Sequence, residues 1–188
     1  MKIGILGGTF NPVHIGHLIL AEEAREKLGL DKVIFVPAYL PPHKDNGDII
    51  SAAERLKMVR LAIKGNPAFS VSDIEIKRKG RSYTIDTVRA LKRKYLRHQL
   101  FFIIGSDLLN YLSGWKDLKD VVGLVTFIAA TRPGYPLEQI PSYIRTLSIR
   151  AVDVSAFEVR KCVKSGKSFR YLVSDQVNAY IKLKKLYR

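Results

Sequence analysis

Short apolar runs alternate with amphipathic segments from one end of this chain to the other, and few folds accommodate that alternation. The runs Ile3 to Gly7, Val33 to Pro37, Phe69 to Asp73, Leu100 to Ile104, Val125 to Ala129 and Ser148 to Val152 have strand length. Helix-length stretches separate them, which predicts an α/β protein: a Rossmann-like, doubly wound, mostly parallel sheet with helices on both faces. One helix is expected over Ile15 to Leu28, stopped by Gly29, a favoured residue beyond a helix C-terminus. Another starts at Ser51, where the spacing to Glu54 fits a reciprocal capping box. In TIDTVRALKRKYL the apolar Ile85, Val88, Leu91 and Tyr95 fall at helical spacing, which leaves the basic residues between them on the outer face. Ser155 to Val163 and Asp175 to Leu183 complete the set. No repeat, low-complexity tract or linker divides the 188 residues, so one domain over 1–188 is expected.

Composition excludes several classes. No run of about 18 apolar residues suggests a membrane span. The apolar stretch after Lys2 is broken by Gly4, Gly7 and Gly8, unlike a secretory signal. Cys162 is the single cysteine, so neither an internal disulfide nor a cysteine metal cage is available, which fits a reducing, cytoplasmic setting. The formal charge of +15 predicts attraction to anions without saying which. The clusters at 77–81, 92–97 and the C-terminus read as solvated surface.

In an open parallel sheet, ligands bind beyond the carboxyl ends of the strands, where helices begin with free amides. The first strand runs into GGTFNPVHIGH, which is neither a Walker A loop nor the G-x-G-x-x-G of dinucleotide oxidoreductases. His14 and His17 could share one helix face for zinc, but no third ligand or HEXXH-type glutamate accompanies them. Two packed histidines at a helix start would also satisfy the pattern. A phosphate site accounts for more of the residues. Gly7 and Gly8 let backbone approach an anion, Asn11-Pro12 fixes a turn, and the helix offers unpaired amides and its positive dipole end. The histidines add donors, and Gly16 keeps the surface between them clear. The segment 38–50, AYLPPHKDNGDII, is long for a connection, as functional loops are.

The stretch GGTFNPVHIGHL resembles the signature of the HxGH nucleotidyltransferases. With PPHK at 41–44, SYTIDT at 82–87, IIGSD at 103–107, Trp115, RPGYPLE at 132–138 and the ending AYIKLKKLYR, nearly the whole chain is similar to the bacterial nicotinate-nucleotide adenylyltransferases. The resemblance implies reaction of ATP, with Mg²⁺, and nicotinate mononucleotide to give deamido-NAD and pyrophosphate. It implies small-molecule substrates, with no nucleic acid or membrane as partner, and leaves self-association into a homo-oligomer open. The nucleophile would be a phosphate oxygen, already an anion at neutral pH, so the site needs alignment and charge stabilisation in place of a base.

Roles follow from the resemblance. His14 and His17 contact the ATP phosphates, with His17 following charge at the transferring phosphate, and Gly8, Thr9 and Phe10 supply backbone contacts. Gly105 and Asp107 close the fourth strand beside the ATP ribose and the bound substrates, although Asp107 would equally serve as a helix N-cap. Tyr83 and Thr84 match the segment whose backbone receives the nicotinate carboxylate. Trp115 matches the aromatic that stacks on the pyridine ring, although a lone tryptophan more often belongs to a core. His43 and Lys44 on the long loop, and Arg132, are placed for the mononucleotide or for solvent. Ser155 and Arg160 match the last motif, Ile-Ser-Ser/Ala-Thr-x-Ile/Val-Arg, where Arg reaches the β- and γ-phosphates. Here Phe157 stands at the threonine position, removing a hydroxyl and adding bulk. The rival from another class, a basic nucleic-acid-binding protein, lacks any of the usual RNA-binding signatures.

Overall fold

The computed structural model describes residues 1–42, 49–131, 140–150 and 152–188. Six strands, β1 (Lys2–Gly8), β2 (Lys32–Pro37), β3 (Phe69–Val71), β4 (Gln99–Gly105), β5 (Thr126–Ala130) and β6 (Ile144–Leu147), form one sheet in the order β3-β2-β1-β4-β5-β6. Each neighbouring pair is parallel. The helices are α1 (Ile15–Leu28), α2 (Ala52–Ala62), α3 (Ile74–Arg78), α4 (Thr84–Lys94), α5 (Leu118–Leu124), α6 (Ala156–Lys164) and α7 (Asp175–Leu183), with a 3₁₀ helix over Ser106–Gly114. The chain leaves β1 toward one edge, returns to β4 beside it, and leaves toward the other edge. Connections on β1 and β4 therefore diverge, and a crevice opens between their carboxyl ends.

Alternation along the strands feeds two cores, as expected for a sheet covered on both sides. Leu6, Phe35, Ile103 and Ile128 pack with Ala21 and Ala24 of α1, Met58 and Val59 of α2, Val159 of α6 and Val177 of α7. Ile5, Ile34, Phe102 and Phe127 pack on the opposite side with Ile85, Val88 and Leu91 of α4 and Val121 of α5. No helix among the described residues is long and apolar enough to cross a membrane.

The helix ends show the local chemistry. Gly29 takes the left-handed conformation, φ 59°, that lets the Gly29 and Leu30 amides turn back onto the carbonyls of Glu26 and Arg25. Ser51 caps α2 by accepting the Glu54 amide at 3.2 Å, but the other half of the expected capping box does not form. The Glu54 carboxylate instead accepts the Tyr180 hydroxyl at 2.6 Å, a charge-assisted bond between α2 and α7 that pushes the hydroxyl's pKa up to about 12.

Two further expectations are corrected. Among the described residues the last strand is Ile144–Leu147, which ends immediately before the apolar run at 148–152. Pairing with β5 ends at Ala130 and Leu147, and Thr131 then accepts the Ile149 amide at 3.0 Å and leads that segment off the sheet. Ile149 and Val152 line a cleft instead of extending β6. Asp107 is not an N-cap: Gly105 holds that position, and Asp107 lies in the first turn of the 3₁₀ helix.

Candidate active site

A cleft of about 600 Å³ opens where the carboxyl ends of β1, β4 and β5 meet the starts of α1 and α6. Gly8, Thr9 and Phe10 form one wall, Gly105 and Asp107 the floor beyond β4, and Ser155 and Arg160 the far side. His14 and His17 project between them. These nine residues, spread from Gly8 to Arg160 in sequence, are those assigned to ATP above, and the fold gathers all of them into one cavity.

Phe10 carries the loop. Its backbone sits at φ 49°, which sends the ring into the core under the loop, 5.9 Å from Phe35. The His17 ring stands edge-on to it at 5.0 Å, and the His14 ring lies 3.7 Å from that of His17. Position and proton are fixed together. His17 Nδ1 accepts the backbone N–H of His14 at 3.2 Å, so the ring proton belongs on Nε2, which becomes a donor of set direction. Gly16 makes room for this pair, since a Cβ there would stand 3.1 Å from His14 Nδ1, closer than packed side chains ordinarily allow. Gly16→Ala is therefore expected to lower turnover about ten-fold by shifting the His14 ring, while α1, which gains a better helix former, keeps its stability. Kinetics and a melting curve on the same sample check this; wild-type turnover would count against the close fit.

On the far side, Ser155 caps α6 by accepting the Glu158 amide at 3.1 Å, leaving the unpaired amides of the first turn beside the cleft. Arg160 Nη1 donates to the Asn11 carbonyl at 2.9 Å, so the arginine of the last motif is tied to the loop of the first. Phe157, although it lines the cleft, is two-thirds exposed, and its ring faces the Arg160 guanidinium at 5.9 Å. The bulk at the threonine position thus turns outward.

Of the residues assigned to the mononucleotide, Asp107 lines this cavity, and Tyr83, Thr84 and Trp115 lie outside its lining. Tyr83 and Thr84 begin α4, and Trp115 ends the 3₁₀ helix after β4. They are brought together: Lys116 Nζ sits 4.9 Å over the Tyr83 ring, and Trp115 packs edge-on to Phe102 at 5.9 Å. Phe102 in turn approaches within 3.4 Å of the place a Cβ on Gly7 would take, which links the tryptophan to the β1 loop. His43, Lys44 and Arg132 lie outside the described residues. Among the features missed in sequence are the wall built by Ile149, Arg150, Val152 and Val154, where Arg150 is held by the Glu23 carboxylate of α1, and Tyr187, whose hydroxyl donates to Asn11 Oδ1 at 3.0 Å. A tyrosine one residue from the end of the sequence carries no local signal of such a contact. Asn11 did carry one, since it lies inside the motif.

Comparison with known proteins agrees with this geometry. The profile of the cytidylyltransferase-like family matches residues 5–162. The nicotinate-nucleotide adenylyltransferase of Bacillus subtilis is 42% identical over 186 residues, covering 99% of this chain and 98% of its own. Among solved structures, the nicotinic acid mononucleotide adenylyltransferase of Plasmodium falciparum complexed with NaAD superposes with a TM-score of 0.82 at 17% identity, over 99% of this chain and 97% of its own. The same enzyme complexed with APC gives 0.82 at 18%, over 99% and 96%. The structural likeness establishes the fold, and the sequence identity over the full length establishes the kinship: the chain belongs to the cytidylyltransferase-like family and, within it, to the nicotinate-nucleotide adenylyltransferases.

Proposed function

We propose that this chain transfers the adenylyl group of ATP to nicotinate mononucleotide, giving deamido-NAD and pyrophosphate. A phosphate oxygen of the mononucleotide bonds to the α-phosphorus of ATP as the bond from that phosphorus to the bridging oxygen breaks, and the bridging oxygen leaves with its electron pair on pyrophosphate. No proton has to be removed for attack. The observation that carries the reading is the donor character of the cleft: His17 Nε2, the first-turn amides of α6 and the guanidinium of Arg160 converge on one cavity at the switch point of the sheet. That arrangement stabilises negative charge, which is what the α-phosphate and departing pyrophosphate develop.

ATP enters as its Mg²⁺ complex. Among the described residues, no group of three or more His, Cys, Asp or Glu is placed to hold a metal, and Asp107 is the one carboxylate of the described cleft lining. Asp107 would be the residue to meet a Mg²⁺ brought in with ATP, and that ion would supply charge neutralisation at the phosphates. For the acceptor, the N-terminus of α4 at Thr84 and the ammonium of Lys116 over Tyr83 favour a pyridine bearing a carboxylate over one bearing an amide. Offered ATP and Mg²⁺ with each mononucleotide in turn, the protein is expected to release pyrophosphate faster with the nicotinate form. Absence of release with either would sink the activity.

Phe157 supplies a further expected result. Phe157→Thr restores a hydroxyl in the first turn of α6 and removes the ring that faces Arg160, so the KM for ATP is expected to fall about three-fold or more, the scale of one hydrogen bond. An initial-rate series in ATP at saturating mononucleotide measures it, and an unchanged or higher KM would refute the effect.

A further inference from the structure

Arg55 takes part in none of the steps above, yet it is the most deeply buried cation described, 1% exposed within the fold. Removing a guanidinium from water is costly, and burial pushes its pKa below the ordinary arginine value. An apolar side chain of α2 would fill the space at less cost. What the guanidinium holds is three backbone carbonyls on three segments: Nη1 donates to Thr9 O at 2.7 Å, Nη2 to Tyr39 O at 2.9 Å, and Nε to Ile50 O at 3.1 Å.

The positions of those carbonyls are informative. The ladder between β1 and β2 runs out at Gly8 and Pro37, with a last bond from the Ala38 amide to the Gly8 carbonyl. Beyond that bond stand the carbonyl of Thr9, in the ATP loop, on one side and that of Tyr39, one residue past Ala38, on the other. Arg55 bridges them, so its guanidinium stands where the sheet stops supplying rungs. From Tyr39 the network continues, because its amide donates to Ser82 Oγ at 2.9 Å and the Ser82 amide donates to Leu40 O at 2.9 Å. Ser82 immediately precedes Tyr83 and Thr84. Behind it, Glu75 of α3 accepts the Thr87 hydroxyl at 2.5 Å and holds α4 in place. On the third side, Ile50 donates its amide to Asn11 Oδ1 at 3.4 Å, and the Asn11 carbonyl is the one held by Arg160.

We propose that Arg55 is a positioning residue that fixes the ATP loop against the mononucleotide segment and so sets the spacing of the two substrates. This role rests on the activity proposed above. Two polyanions must meet in line for adenylyl transfer, and an error of about 1 Å in their placement costs on the order of 100-fold in rate. Arg55→Lys keeps the charge but replaces a planar fork by a point donor that cannot serve three diverging carbonyls.

The test is initial-rate kinetics on folded Arg55→Lys, at a temperature well below its melting point. KM is expected to rise about ten-fold for both substrates, with kcat reduced. A residue that only stabilises the fold would lower the folded fraction and the apparent kcat while both KM values stay at wild type, and that result overturns the role. Ser82→Ala tests the next link even where Arg55→Lys does not fold. It is expected to raise the KM for ATP as well as that for the mononucleotide, although Ser82 lies outside the ATP cleft; a change confined to the mononucleotide, or none, overturns the coupling. Wild-type protein assayed in parallel separates the two levels: its failure to turn over removes the activity and this role together, whereas wild-type turnover with unshifted variant KM values removes the role alone.

Discussion

Replacing His17 with alanine is expected to lower kcat for adenylyl transfer by about 100- to 1,000-fold, the usual cost of losing one donor aimed at developing charge. Asparagine at the same position is expected to retain more. The difference between the two variants follows from the hydrogen bond at Nδ1. Because that nitrogen accepts the His14 amide, it has no capacity left to take a proton from substrate, and the ring acts through Nε2–H alone. The contacts with Phe10 and His14 hold the plane of the ring, so the donor costs little reorganisation as charge builds. Asparagine carries an amide donor on a shorter stem and preserves part of that stabilisation, whereas alanine preserves none. Single-turnover rates at saturating substrates, with thermal unfolding followed on the same variants, decide the matter. Equal losses for alanine and asparagine would count against charge stabilisation and in favour of a role only imidazole can play.

The histidine pair was legible in the sequence because its chemistry is local: glycines, a turn and a helix start within the eleven residues from Gly7 to His17. The strands were legible for a similar reason, since a sheet buried on both faces demands runs such as Ile3 to Gly7, whatever else the chain does. What failed to show was what depends on distant partners. Glu54 has the spacing of a capping box, but the fold brings it the Tyr180 hydroxyl, 126 residues away, and that bond prevails. The run at 148–152 has the length and composition of a strand, and local pattern cannot tell a sheet edge from the wall of a cleft. Arg55 shares the i, i+3, i+4 face of α2 with the buried Met58 and Val59, a place where local pattern expects an apolar side chain and not a cation. Only the convergence of Thr9, Tyr39 and Ile50 makes an interior place for it. Each of these residues is set by a tertiary hydrogen bond, and such bonds leave no trace in local pattern.

Arg160→Ala is expected to lower kcat/KM for ATP by about 100-fold and to move the KM for the mononucleotide much less, since the side chain arises from α6 and lines the cleft, whereas Tyr83 and Trp115 are not among its lining residues. Two functions are lost at once. One N–H of the guanidinium is spent on the Asn11 carbonyl, which anchors the loop that carries His14, and the remainder of the fork is available to the triphosphate. Arg160→Lys restores the charge without the fork, so it is expected to recover only part of the loss. Initial rates with each substrate varied against saturation by the other measure both effects; a mononucleotide KM that rises as far as that for ATP would move Arg160 to the other half of the site. The facing ring of Phe157 makes the same arginine the means by which the departure from the family motif is felt. If the ring acts by holding the guanidinium away from phosphate, Phe157→Thr improves ATP binding only while Arg160 is present, and the gain disappears in the double variant with Arg160→Ala. A gain of equal size in both backgrounds would assign the effect to the restored hydroxyl, acting directly in the first turn of α6.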